Sequence, residues 1–302
     1  MKRIVFFFCL FLINPAMPAG SQLVRPGVTG IAYVRFYAKN VEQSRNFYNT
    51  TLGLPVMTHC PVPVTKVCIT INGNQELRIT EAENDASTSL LAEIAFATPE
   101  ADAMRRYLLR RGLHPTDITS RSSLNRQFSI SDPEGLKVTF VSQPEVYVVW
   151  RDPSPTTSRS LIHAGFVVHD RLVMDHFYKD ILGFRPYWHG GMKDDETSWV
   201  AMQVPEGTDW VEYMLNISPT ANKHTLGVMN HIALGVPDIH AAEAQLRKNG
   251  WTGNEQPKIG RDGKWQLNLY DPDDTRVELM EFTPTQKPCC AEFTGPHPGQ
   301  HP

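Results

Sequence analysis

The chain has 302 residues, of which 41% are hydrophobic and 20% are charged, and its formal net charge is −3. This composition excludes a disordered acidic chain and a coiled coil, and the small negative charge argues against electrostatic binding to nucleic acid or to anionic lipid. Because a typical domain takes roughly 100–200 residues, the length predicts two domains.

Residues 1–20 predict a signal peptide. Lys2 and Arg3 precede an apolar run from Ile4 to Ile13, and small residues at Ala19 and Gly20 end the segment. An apolar helix of that length spans about 15 Å, roughly half of a bilayer core. We therefore expect cleavage, export to the periplasm or the extracellular space, and no stable membrane insertion.

An internal repeat organises the rest of the chain. The motif Phe-Tyr-x-x-x-Leu-Gly occurs at 47–53 and at 177–183, and an Asp-Pro turn before an apolar strand occurs at 132–133 and at 271–272. Each half contains two units that consist of a strand, an amphipathic helix ended by glycine, and up to three short strands. The predicted divisions are a first domain at 21–149, a linker at 150–160, a second domain at 161–283 and a flexible tail at 284–302.

The predicted elements alternate regularly along the chain. The first strands of the units are expected at Ile31–Ala38, Leu91–Ala97, Leu161–Val168 and His231–Val236. The helices that follow them are expected at Val41–Thr51, Ala101–Arg111, Leu172–Ile181 and Ile239–Lys248.

Two histidines and two glutamates occupy matching positions in the second half. His163 and His231 stand in first strands, and Glu212 and Glu278 alternate with apolar residues in last strands. Because neighbouring strand side chains point to opposite faces, we expect all four on the inner face of a curled sheet. Two neutral imidazoles and two carboxylates suit one divalent transition metal, such as Zn²⁺, Fe²⁺, Mn²⁺, Ni²⁺ or Co²⁺.

The βαβββ repeat, the first-strand histidines, the Phe-Tyr motif and the Val-Glu pairs of the last strands resemble the vicinal oxygen chelate superfamily. This superfamily includes glyoxalase I, extradiol dioxygenases, bleomycin-resistance proteins and methylmalonyl-CoA epimerase. The resemblance implies an α+β fold in which four βαβββ modules pair into two curled half-barrel domains. It also implies metal binding by His163, Glu212, His231 and Glu278, a set similar to that of glyoxalase I.

The first half departs from this pattern. The matching positions are Tyr33, Glu76, Glu93 and Thr139, which include no histidine. We interpret this half as a structural or substrate-shaping domain, and the alternative is a second, carboxylate-rich site.

The resemblance to glyoxalase I implies an isomerase, epimerase or lyase that acts on a small substrate with vicinal oxygens. The metal would stabilise an enolate, and Glu212 or Glu278 would move the proton. Trp188, His189, Trp199 and Trp210 are the expected substrate-binding residues. The active form is expected to be a monomer or a homodimer, since both units of the site lie in one chain.

Two other functions remain open. An Fe(II) extradiol dioxygenase would use His163, His231 and Glu278 as a facial triad. Against it, Asn268 stands where that family has a tyrosine, and Asn216 and His224 stand near the place of its additional histidine. A non-catalytic binding protein is the other alternative, although such members generally lack the four ligands.

The cysteines outside the signal peptide form two pairs. Cys60 and Cys68 are compatible with either a disulfide or free thiols. Cys289 and Cys290 lie in the predicted flexible tail.

Overall fold

The computed structural model describes residues 23–57, 60, 65–82, 90–120, 125–142 and 156–299. Two curled sheets of mixed strands with few helices confirm the α+β class. The predicted signal peptide and residues 150–155 of the predicted linker lie outside the described residues. Within the described ranges, none of the helices has the length and apolar character needed to cross a membrane.

The first sheet has seven strands. They are β1 (Gly30–Ala38), β2 (Val67–Thr70), β3 (Glu76–Glu81), β4 (Leu91–Ala97), β5 (Thr119–Ser120), β6 (Arg126–Ser131) and β7 (Lys137–Ser142). Their order across the sheet is β2-β3-β1-β4-β7-β6-β5, so the first strands of the two modules pair at the centre.

The second sheet repeats this plan with eight strands. They are β8 (Leu161–Val167), β9 (Arg185–Gly190), β10 (Trp199–Gln203), β11 (Trp210–Met214), β12 (His231–Val236), β13 (Lys258–Ile259), β14 (Trp265–Tyr270) and β15 (Arg276–Glu281). Their order is β13-β14-β15-β12-β8-β11-β10-β9. The central strands β8 and β12 are antiparallel, and each has the last strand of its own module as a parallel neighbour.

The first helix of each half ends in a wider turn. α1 (Val41–Asn46) continues as a π-helical turn at Phe47–Thr51, and α3 (Arg171–Asp175) continues as one at His176–Ile181. Gly183 follows with a φ of 77°, a left-handed conformation that glycine adopts without strain. The other helices of the described residues are α2 (Ala101–Arg110), α4 (Lys223–Met229), which the sequence pattern does not predict, and α5 (Ile239–Lys248).

The main core lies between the sheets and the helices. Ala164, Phe166 and Val168 of the second half belong to it, as strand alternation predicts. Ile162 does not, because an irregularity in the β8–β12 pairing turns it toward a separate cluster that contains Trp210 and Ala233.

The two halves are joined by reciprocal hydrogen bonds between the repeated motifs. The hydroxyl of Tyr178 donates to Asp132, over 3.1 Å, and the hydroxyl of Tyr48 donates to Asp271, over 3.3 Å. Burial raises the pKa of both aspartates to about 6, although hydrogen bonds from neighbouring backbone amides oppose the shift. The repeated Tyr and Asp residues therefore form an interface with approximate twofold symmetry.

The C-terminal segment is not the flexible tail that its Pro/Gly composition predicts. The Thr294 amide donates to the carbonyl of Tyr187 over 3.0 Å, and the Cys289 amide donates to that of Arg261 over 2.8 Å. Phe293 packs against Tyr187 and Trp188. Buried aromatic contacts and backbone hydrogen bonds thus order residues 284–299 against the second sheet.

Both cysteine pairs form disulfides in this structure. One joins Cys60 to Cys68 near the start of β2, and the other joins the adjacent Cys289 and Cys290.

Candidate metal centre

Small residues at the centre of the second sheet allow four larger side chains to converge. In one row across the sheet, Ala233 lies between His163 and Glu278. In the next row, Gly165 lies between His231 and Glu212. A Cβ atom on Gly165 would come within 2.0 Å of the His231 ring, so glycine provides the space that this imidazole occupies.

Three of the four predicted ligands, His163, Glu212 and His231, lie close enough together to share one ion, and the Glu278 carboxylate lies beside the two histidines. The Nε2 atoms of His163 and His231 are 3.1 Å apart. The Glu212 carboxylate lies 3.9 Å and 3.4 Å from these two nitrogens, and the Glu278 carboxylate lies 3.6 Å and 4.0 Å from them. Donor atoms about 2.1 Å from a shared ion are about 3.0 Å apart at right angles and about 4.2 Å apart when opposite. The separations among His163, Glu212 and His231 therefore fit one divalent transition metal, and Glu278 lies within 4.0 Å of both imidazole nitrogens.

The orientation of His231 also suits a metal ligand. Its Nδ1 lies 2.9 Å from the carbonyl oxygen of Met229 and donates to it, which leaves a lone pair on Nε2. That lone pair accepts a hydrogen bond from the Arg276 guanidinium, over 2.8 Å. Arg276 and a metal ion would therefore compete for the same nitrogen.

Burial sets the protonation states of the metal-free site. It lowers the pKa of both His163 and His231 well below the usual value, and nearby cationic groups lower it further. The imidazoles are neutral at pH 7, as ligands must be. Burial raises the pKa of Glu212 and of Glu278 to about 7, although Arg276 opposes the shift. A bound cation would favour the ionised carboxylates.

A cavity of about 310 Å³ opens above the two glutamates. Its apolar wall includes the predicted residues Trp188, Trp199 and Trp210, together with Tyr187 and Phe293. His163 and His231 are fully buried and are not part of the cavity wall, so they lie deeper than the carboxylates. The volume is at the small end of the range for small-molecule sites.

His189 does not contribute to this cavity. It is exposed, whereas Tyr187 and Trp188 both face the cavity because an irregularity in the β9–β10 pairing interrupts the alternation. The cavity wall also contains four cationic residues that were not predicted from the sequence, and two of them, Lys264 and Arg276, are buried or partly buried. The sequence could have indicated Arg276, because it is two residues before Glu278 on one strand and so shares its face. Nothing in the sequence around Lys264, which follows a glycine in a hairpin, indicates that this residue is buried.

Residues 160–279 match the family model described as the Glyoxalase/Bleomycin resistance protein/Dioxygenase superfamily. This segment is a vicinal oxygen chelate domain. The match contains all four residues of the candidate metal centre and confirms the family that the sequence motifs resemble. None of the curated protein sequences matches the chain significantly.

Solved structures with the vicinal oxygen chelate fold resemble both halves. Homoprotocatechuate 2,3-dioxygenase from Brevibacterium fuscum, in complex with 3,4-dihydroxyphenylacetate, has a TM-score of 0.65 and 19% identity, with 92% of this chain and 85% of that chain covered. The homoprotocatechuate 2,3-dioxygenase from Arthrobacter globiformis has a TM-score of 0.65 and 18% identity, with 86% and 82% covered. At this identity the similarity establishes the fold alone.

The side chains that distinguish extradiol members of the vicinal oxygen chelate group differ here. Extradiol members have a tyrosine at the position of Asn268. Here Asn268 pairs with Glu278 across β14 and β15 and lies in the cavity wall. Asn216 bonds to the carbonyl of Thr197, and His224 is exposed and lies 3.1 Å from Asp274. Neither of them lines the cavity.

The first half of this vicinal oxygen chelate fold fills the equivalent space with ion pairs. Glu93 bonds to Arg35, to Thr139 and to the Tyr33 hydroxyl. The register also corrects the alignment of Glu76. Gly165 pairs with Glu212 and its counterpart Arg35 pairs with Arg78, so Arg78, and not Glu76, stands in the place of Glu212.

Proposed function

We propose that the protein is an exported metalloenzyme that isomerises, epimerises or cleaves a small substrate with vicinal oxygens. The observation that supports it is the convergence of two imidazole nitrogens, 3.1 Å apart, with the carboxylates of Glu212 and Glu278, each of which lies within 4.0 Å of both nitrogens. Zn²⁺, Fe²⁺, Mn²⁺, Ni²⁺ and Co²⁺ all suit this donor set.

Glu212 is the residue best placed to move a proton. Its side chain is 13% exposed, against 6% for Glu278, and both contribute to the cavity wall. When bound, a divalent cation polarises adjacent substrate oxygens and acidifies the neighbouring C–H bond. Glu212 would take the proton from that carbon and return it to the same or the adjacent carbon, and His163, His231 and Glu278 would hold the centre.

Metal content tests the centre directly. We expect the purified mature protein to hold close to one transition-metal ion per chain, measured by elemental analysis, and His163→Ala and Glu278→Gln to lose it. Tyr33→Phe, at the first-half counterpart of His163, is the matched control and should keep the metal. Unchanged occupancy in both ligand variants would refute the site.

Proton transfer tests the reaction class. We expect Zn²⁺- or Ni²⁺-loaded protein in D₂O to exchange deuterium into the carbon next to the carbonyl in some member of a panel of 2-hydroxycarbonyl compounds, followed by NMR. Glu212→Gln should abolish exchange even at a metal concentration that saturates the variant, since it removes the base. Exchange that persists in Glu212→Gln would contradict this role.

A ring-cleaving dioxygenase is the second candidate function. The similarity in fold between this chain and two homoprotocatechuate dioxygenases favours it, and so does the aromatic cavity wall. His163, His231 and Glu278 would then form the facial triad for Fe²⁺. Catechol-dependent oxygen uptake by Fe²⁺-loaded protein, lost in His231→Ala but kept in Glu212→Gln, would favour it over the isomerase.

Export is the remaining part of the proposal and rests on the sequence of residues 1–20. Intact-mass measurement on protein recovered from outside the cytoplasm should show the loss of about this segment. A full-length mass would contradict it.

A further inference from the structure

Lys264 is a buried cation beside the candidate metal centre. Its side chain is fully buried, and its Nζ has no hydrogen-bond partner among the residues that the structure describes. The Nζ lies 4.8 Å from the ring centre of Trp210, 5.1 Å from that of Phe293 and 5.6 Å from that of Tyr187. Aromatic faces attract a cation, but they do not replace the hydrogen bonds that a buried ammonium group needs.

The nearby acidic residue does not satisfy this group. Asp262 accepts hydrogen bonds from the backbone amide of Lys264 and from the side chain of Gln266, both over 3.1 Å. Burial lowers the pKa of Lys264 to about 8, against the opposing effect of Asp262, Glu278 and Glu212, so the side chain is still mostly protonated at pH 7.

A bound metal would leave the cavity with an excess of positive charge. Glu212 and Glu278 would balance the two charges of the ion. Arg276 would lose its hydrogen bond to His231, because a lone pair that coordinates a cation no longer accepts a proton donor. Lys264 and Arg276 would then face the cavity with Asp262 as the remaining buried carboxyl group of its wall.

We propose that Lys264 binds an anionic group of the substrate, a carboxylate, that is separate from the oxygens that reach the metal centre. The inference rests on the proposed function, because it assigns a second group of the same substrate. The surrounding rings of Trp210, Tyr187 and Phe293 favour an apolar, flat substrate body. The substrate class is therefore a small organic acid, aromatic or similarly flat, that carries vicinal oxygens.

The test compares an acid with its neutral amide. Phenylacetate and phenylacetamide are titrated into the full chain, once loaded with Zn²⁺ and once treated with a chelator, and the quenching of tryptophan fluorescence gives both affinities. Because Trp188, Trp199 and Trp210 line the cavity, the signal reports on binding there. We expect the acid to bind about tenfold more tightly than the amide, as charge-assisted hydrogen bonds do.

Lys264→Met isolates the ammonium group, since methionine keeps an apolar stem of similar length. We expect the tenfold preference for the acid to disappear and the affinity for the amide to stay the same. The melting temperature should rise, because the variant removes an unpaired buried charge, whereas a purely structural lysine would give a lower melting temperature. Lys258→Met removes the same charge at the exposed rim of the cavity and should change the preference less than twofold.

Three results would overturn the assignment. They are equal affinity for acid and amide in the wild-type protein, no detectable binding of the acid, and a preference that survives Lys264→Met. Elemental analysis of the same samples reports on the metal centre separately. A protein without metal that still prefers the acid would refute the proposed function and support the role of Lys264.

Discussion

In the second sheet Gly165 leaves a space between His231 and Glu212, whereas in the first sheet Arg35 fills the same space. The Arg35 guanidinium pairs with Glu93, which occupies the position of His231. The same backbone plan thus places a covalently attached cation in one half and two imidazoles with two carboxylates in the other.

The difference between the halves lies in the side chains at the matching positions. Arg78 replaces Glu212 and bonds to Glu76 over 3.0 Å, and its guanidinium lies 3.6 Å from the ring centre of Tyr33. Thr139 replaces Glu278. Among the described residues, the groups of acidic, histidine and cysteine side chains close enough for a metal lie in the second half. The first half therefore has paired charges where the second half has the donor atoms of the candidate metal centre.

Low pH should separate the two halves most strongly. With the pKa of Glu212 and Glu278 near 7, metal binding must displace one to two protons below pH 7 and almost none above it. Metal affinity, measured by chelator competition, should fall about 10–100-fold for each pH unit below 7. Metal affinity therefore begins to fall near pH 7. If only imidazoles with ordinary pKa values were titrating, it would begin to fall near pH 6.

The first half should tolerate this pH range. Burial raises the pKa of Glu93, but Arg35, Lys137 and two hydrogen bonds lower it to below the usual 4.5. Its ion pair is therefore kept until the pH falls below that value. Metal affinity that is constant between pH 7 and pH 5 would contradict the contrast.

Breaking the ion pair of the first half should be costly for folding. Arg35 and Glu93 are 10% and 4% exposed, so Arg35→Met leaves a buried charge without its main partner. We expect the free energy of unfolding, from urea denaturation, to fall by about 3–5 kcal/mol. Adding Glu93→Gln should recover most of the loss, and equal losses in the single and double variants would contradict the ion-pair explanation.

Filling the space at Gly165 should weaken the second half. In Gly165→Ala the new Cβ would lie 2.0 Å from the His231 ring, so the ring must move. We expect metal affinity to fall about 10–100-fold, as it does when a supporting residue of a metal site is changed. Gly73→Ala, where a Cβ meets nothing within 4 Å, is the control and should keep the affinity.

Removing the competing cation should have the smallest effect. Arg276→Gln weakens the hydrogen bond to Nε2 of His231 and removes a positive charge near the bound ion. We expect metal affinity to rise about three- to tenfold in isothermal titration, with little change in Arg276→Lys. An unchanged or lower affinity in Arg276→Gln would show that Arg276 does not compete with the metal.

The sequence was sufficient to predict the modules and the convergence of the four candidate residues. Strand alternation and the internal repeat act locally, and they place His163, Glu212, His231 and Glu278 on one face without knowledge of the third dimension. The first helix of each half also ends where the sequence predicts, because Gly53 and Gly183 follow these helices at matching positions of the repeat.

The errors arise where alternation is interrupted or where distant segments meet. An irregular strand pairing turns His189 outward and Tyr187 inward. In the first half, the strand register puts Arg78 at the position that the sequence alignment gave to Glu76, two residues earlier. Lys264 reads as an exposed hairpin residue because Phe293, 29 positions later, is part of what buries it. Such contacts depend on tertiary packing, which local periodicity does not encode.

The exchanged Tyr–Asp contacts between the halves have a consequence for how such a chain can arise. Each half carries both a tyrosine and an aspartate of the pair, so an isolated second half has Tyr178 and Asp271 available for a copy of itself. Two identical ancestors could have associated through this contact as a homodimer. Gene fusion would then have freed one copy to exchange its metal for arginine without loss of the assembly.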